Sequence, residues 1–210
     1  MNSKMLVVGL AGLFCVSALG QDMIKLPPPR TDGGRPLMQV LKDRKSAREF
    51  STNALPPQIL SDLLWAAFGV NRPEAGRRTA PSAMNWQEMD VYVATADGLF
   101  LYDAKANALK TVLSEDIRAL CGMQAFVKDA PLNLIYVADL ARLGAATDEQ
   151  KSFTLADAGF ISENVYLFCS SEGLATVVRA SVDKPALSKK MNLSSTQNII
   201  LAQTVGFPQQ

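Results

Sequence analysis

Residues 148–171 read DEQKSFTLADAGFISENVYLFCSS, and this stretch decides the fold. Phe153, Ala156, Phe160, Ile161, Val165, Phe168 and Cys169 recur at helical spacing and make a wide apolar face. Ala158, Gly159 and Ser162 are small enough to let a second helix approach closely. Gly173 follows as a C-terminal stop. The spacing predicts one helix of about 24 residues, long enough to be the spine of the domain or one side of a subunit interface.

The elements around it are shorter and mixed in type. On the C-terminal side, 174–179 reads as a strand, 184–191 as a helix and 199–205 as a last strand before Gly206-Phe207-Pro208. On the N-terminal side, 131–139 is apolar nearly throughout, the pattern of a central strand buried on both faces. Residues 90–95 and 99–102 alternate around Ala96-Asp97-Gly98 and predict a hairpin. Asp116 to Leu120 predicts a short helix. Pro56-Pro57 opens another, with Ile59, Leu60, Leu63, Leu64, Ala67 and Phe68 on its core face and Gly69 as its stop. Val70 to Thr79 reads as a polar loop, and 36–42 as a short amphipathic helix. Pro27-Pro28-Pro29, Gly33-Gly34 and Pro36 make 21–36 an extended arm, draped over the body or reaching a partner. Helices first, then a hairpin, then helix–strand alternation indicate an α+β domain over 37–210 with a small mixed sheet.

Bulk properties narrow the chemistry. The chain has 210 residues, 48% hydrophobic and 20% charged, enough for one domain with a real core. A net charge of +1 with no long basic tract argues against a nucleic-acid binder. There are 0 histidines, which removes His-ligated metals, Ser-His-Asp triads and Cys-His pairs together. Lys4, the apolar run 5–16 and the small residues Ala18 and Gly20 predict a signal peptide over 1–20, cleaved before Gln21, and hence export to a compartment such as the periplasm. Phe14 is too bulky for the usual lipid-attachment site ahead of Cys15. The mature chain keeps Cys121 and Cys169, which an oxidising compartment would allow to pair.

Two stretches carry candidate chemistry. In Arg44-Lys45-Ser46-Ala47-Arg48, Arg44, Ser46 and Arg48 alternate, so an extended backbone points them to one side. Two guanidiniums and a hydroxyl there suit a phosphate, although a solvated basic loop would look the same. In Pro81-Ser82-Ala83-Met84-Asn85-Trp86-Gln87, Pro81 and Ser82 suit a helix start. The amides of Asn85 and Gln87 could read a flat heterocycle, or be exposed groups beside a cap. The chain has no GxGxxG and no Walker loop.

Three segments in order resemble the FMN-dependent nitroreductase family. They are Arg44 to Phe50, Pro81 to Gln87, and Asp157-Ala158-Gly159-Phe160 through Asn164, continued by Gly173-Leu174 and Val205-Gly206-Phe207-Pro208. Arg77 to Ala83 and the 98–103 hairpin look closest to the branch with SagB-type dehydrogenase domains. The resemblance implies a three-layer α/β/α fold with a mainly antiparallel sheet and a long central helix. It also implies a homodimer holding FMN at its interface. Arg44, Ser46 and Arg48 would then take the phosphate, with Lys45 contributing its backbone. Asn85, helped by Gln87, would reach the pyrimidine edge. Pro81 and Ser82 would come from the second subunit, and backbone N–H of Ala180 or Ser181 would face flavin N5 and O4. The flavin would carry the chemistry, drawing on NAD(P)H or another reductant and passing electrons to a small acceptor such as a nitroaromatic, quinone or enone.

The chain departs from this pattern at its end. Pro208-Gln209-Gln210 lacks the basic residue that many members place at the phosphate, leaving Arg179 or Arg78 as replacements. Two other readings stay open: a flavin- or ligand-binding module without turnover, and a partner-binding protein using its proline arm.

Overall fold

The computed structural model describes residues 23–209; the signal segment expected over 1–20 lies outside them. The proline-rich arm is pinned to the body. Its start, β1 (Met23–Lys25), pairs antiparallel with residues 108–110 at the edge of the main sheet. Beyond it, Ser61 and Asn107 donate to the Pro27 carbonyl, and Arg30 reaches Asp62 through both its N–H and its guanidinium. The arm therefore drapes over its own domain. It also explains why two polar residues, Ser61 and Asp62, are buried on a helix otherwise packed by leucines.

Helix α1 (Leu37–Asp43) and helix α2 (Pro57–Phe68) form where proline starts and apolar spacing predict them. The segment between Val70 and Thr79 is more ordered than a loop. Strands β2 (Val70–Arg72) and β3 (Arg77–Arg78) pair antiparallel around a 3-10 turn, and Gly76 closes that turn at φ 59°. Strands β4 (Met89–Thr95), β5 (Gly98–Asp103) and β6 (Ala108–Leu113) make a meander. The hairpin is as expected. Strand β6 was not, because Lys110 and Thr111 interrupt its apolar pattern, and the Lys110–Asp103 ion pair across to β5 replaces the missing signal. The helix expected at 116–120 shrinks to a 3-10 turn, Arg118–Leu120. The Asp116 carboxylate accepts the Arg118 N–H and pairs with its guanidinium, a local bond that competes with helix.

Strand β7 (Leu132–Asp139), helix α3 (Asp148–Glu172), strand β8 (Ala175–Arg179), helix α4 (Lys184–Lys190) and strand β9 (Gln197–Gly206) complete the chain. The main sheet runs β1-β6-β5-β4-β7-β9-β8. Each of these pairings is antiparallel, in keeping with the mainly antiparallel sheet the resemblance implied, and seven strands make the sheet larger than the small one expected. β7 lies near its middle and is buried on both sides. Leu134, Tyr136 and Ala138 pack against α2 and α3, while Ile135 and Val137 face α4 and the 117–127 loop. The three layers follow from that alternation.

Helix α3 is fixed by its ends and one stripe. Thr147 and Gln150 form a capping box, and Gly173 takes φ 70° at the C-cap. Ala158, Ile161, Val165 and Cys169 sit in the core, whereas Phe153 and Phe160 are 41% and 48% exposed. Of the seven residues of the apolar face read from the sequence, Phe153, Ala156 and Phe160 are therefore exposed in the protomer. Cys169 and Cys121 are both free and lie in cores on opposite faces of the sheet, so the pairing considered above does not form. Among the described residues, no helix is long and apolar enough to cross a membrane.

Candidate functional site

The cationic segment after α1 is extended and stitched into the sheet edge. Ala47 N–H donates to Thr176 O of β8, Ser51 N–H donates to Phe207 O, and Phe50 bridges to Pro208. Ser46 meets α3, its hydroxyl 2.8 Å from the Tyr166 hydroxyl. Tyr166 also accepts the Val178 N–H at 3.0 Å. The Arg44 guanidinium lies over the Tyr166 ring, 5.1 Å from its centroid. Tyr166 thus organises the segment, and sequence reasoning missed it. Its place in the Asp-x-Gly…Asn helix, two residues after Asn164, was the available signal.

The cations there are unpaired. Arg44, Lys45 and Arg48 are exposed or half-buried, and among the described residues none of them forms an ion pair. Asp43, the nearest carboxylate on α1, is bound by Arg35, which holds it below the usual carboxylate range. Just past β8, Ala180 and Ser181 are exposed. Among the described residues no acceptor engages either N–H, while the Ser181 carbonyl accepts from Met123 N–H. Cations, a hydroxyl and two free N–H groups therefore line one edge of β8.

Neither replacement for the missing C-terminal base is available. Arg179 is buried, donating to Cys121 O, Asn133 Oδ1 and Thr204 Oγ1, and burial pulls its pKa down to about 10. It leaves no room for a side chain at Gly122, where a Cβ would lie 1.9 Å from its Nη1. Arg78 stacks on Phe68 and donates to Gln87 Oε1 and Phe68 O.

The Pro81 to Gln87 segment is not a helix start. Only Ala83–Asn85 makes a 3-10 turn, and Met84, Asn85 and Gln87 take φ of 48°, 57° and 49°. Left-handed backbone at three bulky residues is held by specific bonds. Ser82 Oγ accepts the Gln87 N–H at 2.8 Å and donates to Glu88 Oε2 at 3.2 Å. Asp157 Oδ2 accepts the Ala83 N–H at 3.0 Å. Gln87 is fully engaged. Its oxygen accepts from Arg78, and its nitrogen donates to Gly76 O and Asn85 Oδ1. It braces the β2–β3 hairpin, whereas among the described residues no acceptor engages the side-chain N–H groups of exposed Asn85. Pro81 is exposed beside it.

The two halves do not meet in one protomer. Tyr166 and Asp157, their anchors on α3, are nine residues apart, or two and a half turns and about 14 Å along the axis. They lie on opposite flanks of the buried stripe, with the core residues between them. A single site would need the 44–50 segment of one copy and the 81–87 segment of another.

A seven-stranded antiparallel sheet backed by a long helix thus carries the cationic segment on its outer strand. The nitroreductase family model matches residues 41–207. A crystal structure of a nitroreductase-like protein from Ralstonia eutropha superposes with a TM-score of 0.86, at 41% identity over 97% of each chain. A nitroreductase-like protein of Methanocaldococcus jannaschii is 32% identical over 152 residues, 67% of this chain and 76% of that one. The fold is also shared, at 18% identity and a TM-score of 0.69, with a chain of the E. coli microcin synthetase McbBCD complex, covering 98% of this chain and 85% of that one. The chain belongs to the nitroreductase family, a family of oxidoreductases that generally use a flavin.

Proposed function

We propose that the protein is an FMN-dependent oxidoreductase that works as a homodimer and passes electrons from NAD(P)H or another reductant to a small acceptor such as a nitroaromatic, quinone or enone. The observation that carries this reading is the edge formed by Arg44, Ser46 and Arg48, whose guanidiniums form no ion pair among the described residues, beside the N–H groups of Ala180 and Ser181 that no acceptor there engages. Guanidiniums and a hydroxyl match a terminal phosphate, and outward N–H groups match carbonyl and ring-nitrogen acceptors. The residues fit the cofactor that the family uses.

The roles divide by chemistry. Arg44 and Arg48 bind the phosphate, Ser46 is aimed by Tyr166, and Asn85 offers N–H groups to the ring edge of the facing copy's ligand. The bound flavin supplies hydride and electron transfer. Lacking histidine, the chain offers N–H donors rather than a proton-shuttling imidazole at the reacting edge. Dimerisation is supported by the placement of the half-sites on opposite flanks of α3. It is supported again by Phe153 and Phe160, exposed on the helix's outward side. Export by residues 1–20 belongs to the same reading, and it leaves a reductant other than cytoplasmic NAD(P)H open.

The test is a visible spectrum of the purified mature protein after reconstitution with FMN, followed by anaerobic titration with NADH and NADPH. Bound flavin that either donor bleaches is expected. A colourless protein after reconstitution overturns the reading. Flavin that binds but accepts electrons from no donor makes the protein a binding module.

A further inference from the structure

Glu88 is fully buried where β4 begins, directly after the 81–87 segment. Its Oε2 accepts from Ser82 Oγ. Among the described residues its Oε1, also buried, has no donor facing it. The group beside it is the carboxyl of Asp157, itself 2% exposed on α3. A second charge beside the first, away from water, is costly because neither solvent nor a cation offsets the repulsion, so the Glu88 carboxyl holds its proton more tightly than a free one. The guanidiniums that bond to the neighbouring Gln87 have other partners. Arg78 donates to the Gln87 side chain, and Arg142 donates to the Gln87 carbonyl and pairs with Asp90. Asp139 meets Glu88 only through its backbone N–H.

We infer that Glu88 and Asp157 share one proton, and that this shared proton holds the Pro81–Gln87 wall in its left-handed, site-forming shape. Glu88 is the protonated partner, since Asp157 already accepts the Ala83 N–H, a bond that suits a carboxylate. A proton on Oε1 makes that otherwise unpartnered oxygen a donor toward the Asp157 carboxyl. Burial and the Asp157 charge together push the Glu88 pKa up to about 7. Above that pH the pair carries two charges. Glu88 moves toward water, Ser82 loses its acceptor, and the bonds restraining Met84, Asn85 and Gln87 go with it. Glu88 and Asp157 are positioning residues that make the wall pH-sensitive. Only the assignment of this wall to the ligand site rests on the flavin reading.

The chain reports on the wall without any ligand. Trp86 lies within it, its ring 6.3 Å from that of Phe153 in an edge-on contact. The sequence has 2 tryptophans, so Trp65→Phe leaves Trp86 as the sole reporter. With no histidine, no other unperturbed side chain titrates between pH 5 and 8. Emission of full-length mature Trp65→Phe protein, followed from pH 5 to 9, is expected to show one transition near pH 7 with a red shift on the alkaline side. Glu88→Gln, which keeps the shape and a donor, should abolish it, and Asp157→Asn should move its midpoint lower. A flat profile in the parent, or an unchanged one in Glu88→Gln, overturns the proposal. If Glu88→Gln fails to fold, the Asp157→Asn midpoint decides, an unmoved midpoint overturning it. FMN dissociation constants at pH 6 and pH 8 form the second arm, with weaker binding at pH 8 that Glu88→Gln removes. Equal affinity at both values overturns the link to the site. A clear transition in a protein that binds no flavin leaves the shared proton standing and removes the flavin reading.

Discussion

The Ser46 hydroxyl lies 2.8 Å from the Tyr166 hydroxyl, which also takes the Val178 N–H at 3.0 Å. One phenol oxygen therefore ties the cationic segment, the long helix and the outer strand together. Tyr166→Phe keeps the ring under Arg44 but strands the Val178 N–H and frees Ser46. A loss of about 1–3 kcal/mol in urea unfolding is expected, with weakened FMN binding. Unchanged stability would show that solvent replaces the hydroxyl at no cost.

Neither Arg78 nor Arg179 is placed to back up Arg44 and Arg48, which the proposed function assigns to the phosphate. Each single alanine variant should weaken FMN binding by about 10- to 100-fold, since charge-assisted hydrogen bonds contribute roughly 1.5–3 kcal/mol each. Fluorescence quenching on titration with FMN measures this. Arg179→Lys should instead lower stability, because Arg179 serves Cys121 O, Asn133 and Thr204 in the core.

Gly122 meets that same guanidinium. Gly122→Ala would place its Cβ 1.9 Å from Arg179 Nη1. The side chain must shift away from buried acceptors, so a loss of at least about 2 kcal/mol is expected. A thermal melt that matches the parent would refute the packing described.

Asn85 and Gln87 should separate. Gln87→Ala breaks bonds to Arg78, Gly76 and Asn85 and should lower both stability and flavin affinity. Asn85→Ala should lower affinity with little change in the melting temperature. Paired binding and melting curves distinguish them.

Global stability should depend on pH with a definite sign. The Glu88 carboxyl has a raised native pKa, so the native state holds its proton more tightly than the unfolded chain does. Stability is then highest below about pH 4.5 for this group, falls as pH rises toward 7, and levels off above it. The full difference is on the order of 3 kcal/mol. Urea midpoints at pH 5 and pH 8, compared with Glu88→Gln, read it directly.

Export makes a separate prediction. Intact mass of the protein recovered from outside the cytoplasm should match a chain beginning at Gln21. Recovery of a chain that keeps Met1 would remove the localisation from the proposal.

The elements that the sequence shows clearly are those with local causes. The 3.6-residue spacing of Ile161, Val165 and Cys169, the unbroken apolar run of β7 and the proline start of α2 depend on neighbours within a turn or a strand. Strand β6 escaped because its pairing with β5 rests on a cross-strand ion pair rather than on apolar alternation. The 70–79 segment escaped because two very short strands are made by register and by Arg78, not by composition.

By itself, then, the sequence determined the α+β class, the long central helix, the cationic segment and the family. Each is written in periodicity or in motif order. Only the tertiary structure decided what those residues do together. Ser46 meets Tyr166 across 120 positions, and Asp157 reaches Ala83 across 74. The same packing commits Gln87 and Arg179 inward and sets the two half-sites on opposite flanks of α3. Such pairings depend on sheet register and helix rotation, which accumulate over the whole chain and leave no trace in the spacing of adjacent residues.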